Sequence, residues 1–341
     1  MNCKKNRICV IFTGGTIGSQ TCGGVVDLKN ESKSLLIEKY KQAFGGNIQF
    51  DELRPLNILS ENVQPADLEV MADCVRGVNK EEYDGIILTH GTDTLCFTAN
   101  LFSQIFCDIQ IPIVFVSALY PLDDDRSNGL TNFYGAVEFI QAVDYGGVFV
   151  SFTNYGENCK IHLASRLTSA TQISGEYDSI LKVHFGEIIG GKFVYLQNPL
   201  NPSEEQLRLK RKPCRAQKLC TDMVTIQAHS LLNFDYYRFT EVKPKAVMVQ
   251  LYHSGTVCTK GKEANFKNFL AYCKGLGIEV VIAPIDSRAR IYESALGLTD
   301  ECIAAYDISF EMATAKVLLA LGSGASIEGE LDENYFFEKL N

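Results

Sequence analysis

Two short segments place glycines beside hydroxyl and carboxyl side chains, and each follows an apolar run that predicts a buried strand. TGGTIG occupies residues 13–18, after RICVIF, and THGTDT occupies residues 89–94, after GIIL. Glycine permits tight turns and close approach to a ligand, while a threonine hydroxyl can hydrogen-bond a substrate or, with a base beside it, attack one. The two segments therefore predict a site for a small molecule.

Each segment alone also fits a structural role. A glycine pair after a strand can simply form a turn, TGGTIG could cradle a phosphate at a helix N-terminus, and Thr92 or Asp93 could cap the helix that follows. TGGTIG matches neither G-x-G-x-x-G nor the Walker A pattern, which argues against a nucleotide site. Ligands of open parallel sheets, however, bind outside the carboxyl ends of strands, and both segments have that position.

The runs around these segments predict the elements that must position them. Near-continuous β-branched runs at 7–12, 85–90, 111–117 and 147–152 predict strands buried on both faces of a parallel sheet. Amphipathic stretches predict the helices between them, at 32–45, 65–80, 92–106 and 130–143. This order predicts an α/β fold whose larger N-terminal domain is a doubly wound parallel sheet.

The domain organisation follows from a change of pattern after this region. We expect a catalytic domain at 1–197, a linker at 198–243 that carries three prolines and a cluster of Arg and Lys, and a smaller C-terminal α/β domain at 244–341. Within the last domain, the runs at 246–253 and 278–284 predict strands, and 263–275 and 310–322 predict helices.

Composition excludes several classes of function. A net charge of −9 argues against nucleic-acid binding, and no apolar run reaches the length of a membrane span. No signal peptide is apparent, so we expect a cytoplasmic protein that does not bind membranes. The twelve cysteines form no C-x-x-C pair and no zinc-ligand spacing, so most are expected to be buried hydrophobes in a reducing compartment. We predict no metal and no cofactor.

Taken together, the two segments resemble the signature motifs of the bacterial-type L-asparaginase family, and more closely its cytoplasmic type I branch. The resemblance extends along nearly the whole chain. It includes the stretches LNILSENVQPADL, IPIVFVSALYPLDDDRSNGLTNFYGAV, LYHSGT and IYESALGL.

The resemblance implies an amidohydrolase that converts L-asparagine to L-aspartate and ammonia through a threonine acyl-enzyme. L-Glutamine is a second candidate substrate. Thr13 would attack the side-chain amide, Thr92 would supply a second hydroxyl or, in an alternative assignment, the nucleophile, and Asp93 would bind the substrate ammonium and orient Thr92. The implied substrate-binding residues are Ser60, Glu61, Thr16, Gly91 and Ser117. A homodimer or homotetramer is also implied.

Two departures from the family pattern predict a slow enzyme, and a third concerns regulation. Ser169, in SRLTSA, stands where the family has a lysine, and no lysine occurs in 161–181, so that Lys160 and Lys182 are the nearest alternatives. The segment after TGGTIG holds no tyrosine before Tyr40, although the family usually has one there. PIDSRARIY lacks the cysteine of the type I allosteric site, which is therefore not expected here.

Two other functions compete with this interpretation. The missing lysine and tyrosine also fit an amino-acid-binding or sensor protein that catalyses nothing. The scaffold also fits an amidase subunit that supplies ammonia to a tRNA-dependent amidotransferase. The start of TGGTIG at residue 13 argues against this last function, because no tRNA-binding domain precedes it.

Overall fold

The computed structural model describes residues 4–18, 20–22, 25–27, 32–214, 218–263, 265–290 and 292–340. The chain forms two compact units, which we call the first unit (1–214 and 335–337) and the second unit (215–334 and 338–341). Their boundary falls inside the predicted linker, because a short helix at 204–208 belongs to the first unit and a strand at 223–227 to the second. None of the helices described is long and apolar enough to cross a membrane.

The first unit is built on a mixed sheet. Its described strands are β1 (Arg7–Ile11), β2 (Gln20–Cys22), β3 (Val25–Asp27), β4 (Gln49–Leu53), β5 (Gly85–Thr89), β6 (Pro112–Val116), β7 (Gly147–Phe152), β8 (Cys159–Leu163), β9 (Gly186–Ile189) and β10 (Lys192–Tyr195). β2 and β3 pair as a separate antiparallel hairpin, and the others form one sheet in the order β10-β9-β8-β7-β6-β5-β1-β4. From β4 to β7 the strands are parallel, whereas β8, β9 and β10 add an antiparallel edge.

Helices connect and cover these strands. Those described in the first unit are α1 (Ser32–Phe44), α2 (Pro65–Gly77), α3 (Leu95–Ile105), α4 (Gly129–Ala142) and α5 (Glu204–Arg208). α2 begins with a proline at its first position and a capping box between Gln64 and Asp67, which satisfies amides at that end of the helix. The four helices predicted for this region are therefore present.

The strands predicted in this unit are buried along nearly their whole length. All residues of β5, β6 and β7 are buried, and only the first residue of β1 is partly exposed. Because both faces of such strands meet apolar neighbours, their sequences are continuous apolar runs and do not alternate. This confirms the predicted α/β sheet, with the antiparallel edge as an addition.

The strand order creates a topological switch point at β1. The chain passes from β1 to its neighbour β4, and then crosses back to β5 on the other side of β1. The loops that leave the carboxyl ends of β1 and β5 therefore diverge, and such a divergence opens the crevice in which α/β proteins bind ligands. TGGTIG and THGTDT are those two loops.

The second unit is a smaller parallel α/β structure. Its described elements are β11 (Met223–Gln227), β12 (Ala246–Gln250), α6 (Phe266–Gly275), β13 (Glu279–Ile285), α7 (Leu298–Glu301), β14 (Ile303–Tyr306), α8 (Phe310–Ser323) and α9 (Ile327–Asp332). The sheet order is β11-β12-β13-β14, all parallel. Along β12, Val247 and Val249 join the core that α6 covers, whereas Ala246 and Met248 join the core that α8 covers. Helices thus cover both faces of this sheet.

Candidate active site

The glycine pair after β1 turns the chain sharply and brings two loops into contact. Gly14 pairs with Ile58, and Gly15 N–H donates to the Ile58 oxygen at 3.1 Å. Gly14 and Gly15 have φ angles of 114° and 79°, which favour glycine. A Cβ on Gly15 would lie 2.5 Å from the main-chain nitrogen of Gly91. The close approach of TGGTIG to THGTDT therefore depends on this glycine.

The two threonines of TGGT have different environments. Thr13 is 2% exposed, its Oγ1 donates to the main-chain oxygen of Thr89 at 2.6 Å, and its N–H donates to Thr89 Oγ1 at 3.2 Å. Thr16, beyond the glycine turn, lines a cavity. The side chain predicted as the nucleophile is thus bonded to the main chain, and the following threonine faces the open space.

That cavity has a volume of about 220 Å³ and is formed only by loops at the carboxyl edge of the sheet. It is lined by Gly15, Thr16, Leu59, Ser60, Glu61, Gly91, Thr92 and Asp93. Of the eight residues predicted for the site, all except Thr13 and Ser117 therefore lie on its wall. Thr16 and Thr92 come from the loops after β1 and β5, so both hydroxyl-bearing residues face one space.

The charge of this cavity is negative. Glu61 and Asp93 are its acidic residues, and no lysine, arginine or histidine is among the residues described on its wall. Two carboxylates in a concave site attract a cationic group such as an ammonium. The hydroxyls of Thr16, Ser60 and Thr92 add groups that both donate and accept hydrogen bonds. The site thus fits a small polar molecule that carries an amino group.

Ser60 is held against the THGTDT loop. Its Oγ lies 3.5 Å from Asp93 Oδ2, and its main-chain oxygen accepts a 3.0 Å hydrogen bond from Thr94 Oγ1. A Cβ on Gly91 would lie 2.4 Å from Ser60 Oγ. Thr94 is the N-cap residue of α3, so neither Thr92 nor Asp93 has the capping role that the sequence left open.

His90 and Ser117 support the site from within the protein. His90 is buried. Its main-chain N–H donates to the main-chain oxygen of Val116 at 2.9 Å, and its ring Nδ1 contacts the main-chain oxygen of Gly91 at 2.8 Å. Burial lowers the pKa of His90 to about 4, so the ring is neutral near pH 7. Ser117 is fully buried, its main-chain oxygen accepts from Asn132, and its Oγ has no hydrogen-bond partner in the described part of the chain.

Ser169 lies beside the helix that follows Asp93. Its Oγ is 3.6 Å from the Sγ of Cys96, in the first turn of α3. Asn100 of the same helix donates to the Cys96 and Leu167 oxygens, both at 2.8 Å, and so attaches this segment to α3. Lys160, in contrast, pairs with Glu157 and is not on the cavity wall. The position that the resemblance gives to a lysine is therefore close to the site and holds a serine.

The segment after TGGTIG, where the family usually has a tyrosine, lies partly outside the described residues, which omit 19, 23–24 and 28–31. Tyr40, the first tyrosine after TGGTIG, is on α1 and only 3% exposed. Its ring packs against Phe50 and Phe133 at centroid distances of 5.3 and 5.5 Å. Tyr40 is therefore a core residue and does not replace the family tyrosine.

Tyr177 is a contact of the site that the sequence did not predict. Its hydroxyl donates to the main-chain oxygen of Thr92, which lies 85 positions earlier in the chain. No motif marks this tyrosine, and only the path of the chain brings it to the end of β5. Thr89, which binds Thr13, lay inside a recognised motif but had no assigned role.

Comparison with known proteins identifies the family. The sequence model described as Asparaginase, N-terminal matches residues 7–200, which include every predicted site residue. L-asparaginase of Thermococcus kodakarensis is 26% identical over 248 residues, which cover 67% of this chain and 73% of that protein. L-asparaginase 1 of Escherichia coli K12 is 26% identical over 170 residues, 49% of this chain and 48% of that protein.

A different relative is a glutamyl-tRNA(Gln) amidotransferase component from Haloquadratum walsbyi, 31% identical over 164 residues, 47% of this chain. The match spans only 36% of that protein. Among solved structures, the thermostable L-asparaginase of Thermococcus kodakarensis has a TM-score of 0.78 at 22% identity, with 98% of this chain and 99% of that one covered. L-asparaginase I of Vibrio cholerae has a TM-score of 0.76 at 21% identity, with 98% of each chain covered. These structures share the fold, and the match over residues 7–200 shows that the chain belongs to the asparaginase family.

Proposed function

We propose that this protein hydrolyses L-asparagine to L-aspartate and ammonia, with L-glutamine as a second candidate substrate. The observation that carries the proposal is one cavity at the switch point, where the hydroxyl-bearing residues Thr16 and Thr92 stand with the carboxylate of Asp93. Membership of the asparaginase family supports a hydrolase that acts on amides. The substrate is a small zwitterion, which suits a cavity of about 220 Å³ with two acidic residues.

We assign the nucleophile to Thr16 in place of Thr13, because Thr16 lines the cavity, whereas Thr13 is buried and donates to the main-chain oxygen of Thr89. Thr16 Oγ1 attacks the side-chain amide carbon of asparagine, its hydroxyl proton passes to the amide nitrogen, and the C–N bond breaks to release ammonia. Water then cleaves the resulting ester, which releases aspartate and restores the hydroxyl. Thr92, on the same wall, is the alternative nucleophile or the hydroxyl that relays the proton.

The remaining wall residues bind the substrate. Asp93 and Glu61 attract the α-ammonium group, and Ser60, within 3.5 Å of Asp93, hydrogen-bonds the amino-acid end. Main-chain N–H groups after Thr92 are candidate donors to the oxyanion that forms during attack. Gly91 keeps Ser60 within reach of Asp93, because only a residue without Cβ fits there.

Slow turnover is part of the proposal. A threonine hydroxyl is a weak nucleophile until a base takes its proton, and a positioned base or relay contributes roughly 10²–10⁴-fold. The residues described on the cavity wall include no lysine or histidine for this task. The same observation favours a second candidate function, in which the protein binds asparagine or aspartate as a sensor and hydrolyses neither.

Ammonia release separates the two functions. Purified wild type, Thr16→Ala and Thr92→Ala would be compared on L-asparagine and L-glutamine at high enzyme concentration. Thr225→Ala, an exposed threonine of β11, is the matched control. The proposal requires release by the wild type and the control, and a loss of at least about 100-fold in Thr16→Ala. If all the variants release ammonia as fast as the wild type, the proposal is contradicted. If calorimetry shows that asparagine binds but no ammonia is released, the sensor function is supported.

We also propose a cytoplasmic homodimer or homotetramer, on the strength of the resemblance to the type I branch. Light scattering at micromolar concentration tests the assembly. A mass of at least twice 37.8 kDa is expected, and a mass equal to that of a single chain contradicts it.

A further inference from the structure

Tyr177 is a buried residue that contacts the main chain of the site. The residue is 1% exposed, and its hydroxyl donates to the main-chain oxygen of Thr92. The same oxygen accepts the N–H of Leu95 at 3.4 Å, a long contact at the start of α3. Tyr177 therefore adds a side-chain hydrogen bond to the carbonyl of a residue that lines the cavity.

The tyrosine itself is held at both ends. Asn154 Nδ2 donates to the main-chain oxygen of Tyr177 at 2.9 Å, and the main-chain N–H of Tyr177 donates to Asn154 Oδ1 at 3.0 Å. The ring meets Phe152 edge-on, with a centroid distance of 4.9 Å and an interplanar angle of 73°. Because backbone and ring are both fixed, the hydroxyl has a defined position relative to Thr92.

The chemistry of the hydroxyl limits what it can do. Burial raises the pKa of Tyr177 far above its usual value, and the nearby Cys96 and Asp93 raise it further. The group therefore remains a protonated donor throughout the working pH range. It cannot take the proton of an attacking threonine, so any role in the reaction is exerted through Thr92.

The planar peptide between Thr92 and Asp93 transmits this contact to the site. In a trans peptide the C=O and N–H groups point in opposite directions, so a fixed Thr92 oxygen also fixes the direction of the Asp93 N–H. We infer that Tyr177 is a positioning residue that aims the Thr92–Asp93 peptide, and with it the Thr92 hydroxyl and the Asp93 amide, at the reacting amide. This inference rests on the proposed asparagine hydrolysis.

Tyr177→Phe removes the oxygen alone and leaves Thr92 with the 3.4 Å contact to Leu95. Small errors in the position of a group that acts in the transition state reduce turnover more than binding. We expect kcat to fall on the order of tenfold while KM changes less than about twofold. The pH profile of kcat keeps its shape, because the hydroxyl transfers no proton.

Tyr145→Phe is the matched control. Tyr145 is also buried, at 2% exposure, but it precedes β7 at the amino ends of the strands, and its hydroxyl has no hydrogen-bond partner in the described residues. Steady-state ammonia release and thermal unfolding would be measured for both variants and the wild type. A kcat for Tyr177→Phe within about twofold of the control overturns the inference, and so does a shifted pH profile.

A second measurement does not depend on activity. The protein would be labelled with ¹³C at the threonine carbonyls and with ¹⁵N at aspartate. NMR then detects a labelled carbonyl bonded to a labelled nitrogen only in the three Thr–Asp pairs of the chain, which begin at Thr92, Thr221 and Thr299. Tyr177→Phe should move the Thr92 carbonyl resonance and leave the other two in place. An unmoved Thr92 resonance overturns the inference. A wild type that releases no ammonia overturns the proposed function instead, and the resonance still shows whether Tyr177 holds this peptide.

Discussion

The hydroxyl of Thr13 donates to the main-chain oxygen of Thr89 at 2.6 Å, whereas Thr16, three residues later, lines the cavity. A hydroxyl that is 2% exposed and bonded to a carbonyl stabilises the loop, since its loss leaves a buried acceptor unsatisfied. Thr16, in contrast, lies on the cavity wall, where a substrate can contact it. The two threonines of TGGT should therefore respond differently to the same substitution.

Thr13→Val should fold, with the free energy of unfolding lowered by about 1–2 kcal/mol, and should retain ammonia release within about threefold. Thr16→Val should lose ammonia release by at least about 10³-fold with little change in stability. Urea unfolding and single-turnover ammonia release measure the two effects. The opposite pattern, a stable but inactive Thr13→Val, would restore Thr13 as the nucleophile.

Gly91→Ala tests the packing between Ser60 and the THGTDT loop. Its Cβ would lie 2.4 Å from Ser60 Oγ, so Ser60 must move away from Asp93. We expect KM for asparagine to rise about tenfold, because Ser60 binds the amino-acid end of the substrate. Gly77→Ala is the control, since nothing lies within 4 Å of a Cβ at that position. Equal KM values for the two variants would contradict the role of Ser60.

His162 should make the protein sensitive to acid. Its ring is fully buried, Nδ1 contacts Ser179 Oγ at 2.9 Å, and burial together with the neighbouring His184 and Lys160 lowers the pKa from 6.5 to about 3. Below pH 6.5 this histidine is protonated in the unfolded chain, whereas in the folded chain it stays neutral until the pH falls to about 3. Stability is thus lost as the pH falls through this range.

Between pH 7 and pH 5 this one histidine should reduce the free energy of unfolding by about 2 kcal/mol. In His162→Gln the loss over the same interval should be smaller than in the wild type by about that amount. The exposed His229→Gln serves as control and should behave like the wild type. Urea unfolding at the two pH values measures the difference, and an unchanged pH dependence in His162→Gln would show that the ring is charged in the folded protein.

Burial decided which parts of the fold the sequence could predict. Strands β1, β5, β6 and β7 are apolar on both faces, so the local sequence alone identifies them. Strand β8 is equally buried, but it contains Lys160 and His162, and no local pattern marks CKIHL as a strand. Its polar groups are tolerated because Glu157 and Ser179 pair with them in the folded chain.

The same distinction holds for the site. Gly91, Thr92 and Asp93 lie in a motif whose position after a strand predicts the carboxyl edge of the sheet, and the family resemblance implied Ser60; all four line one cavity. Residue types alone could not show whether Thr13 or Thr16 faces the cavity. That is decided by the positive φ angles of the two glycines between them. Tyr177 contacts Thr92 only through the tertiary path of the chain.

Lys316 and Glu338 form an ion pair inside the second unit. Their charged atoms are 2.8 Å apart, both side chains are completely buried, and the lysine also donates to the main-chain oxygens of Glu330 and Glu333. Lys316→Met removes the counter-charge of a buried carboxylate, and should cost about 3–5 kcal/mol of stability. Lys316→Met combined with Glu338→Leu should recover most of this loss, because neither charge of the pair remains.

Arg288→Met is the control for this pair, since Arg288 binds Asp286 at the surface and such exposed pairs contribute at most about 1 kcal/mol. Chemical unfolding monitored by circular dichroism measures all three variants. A double variant as unstable as Lys316→Met would mean that the lysine acts through its carbonyl contacts and not through Glu338.

Ser169→Lys should raise kcat. Ser169 lies beside the first turn of α3, with its Oγ 3.6 Å from Cys96 Sγ, and α3 begins two residues after Asp93. A lysine here adds a positive charge next to a cavity whose described wall contains two carboxylates and no cation. Such a charge favours loss of the proton from an attacking hydroxyl and stabilises the negative charge that develops.

A gain of about one to two powers of ten corresponds to about 1–3 kcal/mol in the barrier. Ser169 is exposed, so the new ammonium retains part of its hydration and its desolvation costs less than at a buried position. Ser174→Lys, an exposed serine of the same segment, adds the same charge farther along the chain and should leave kcat unchanged. Single-turnover ammonia release, with thermal unfolding as a check on both variants, measures the effect. If Ser169→Lys folds and turns over no faster than Ser174→Lys, the proton of Thr16 passes to a group other than residue 169, and the slow rate has a different cause.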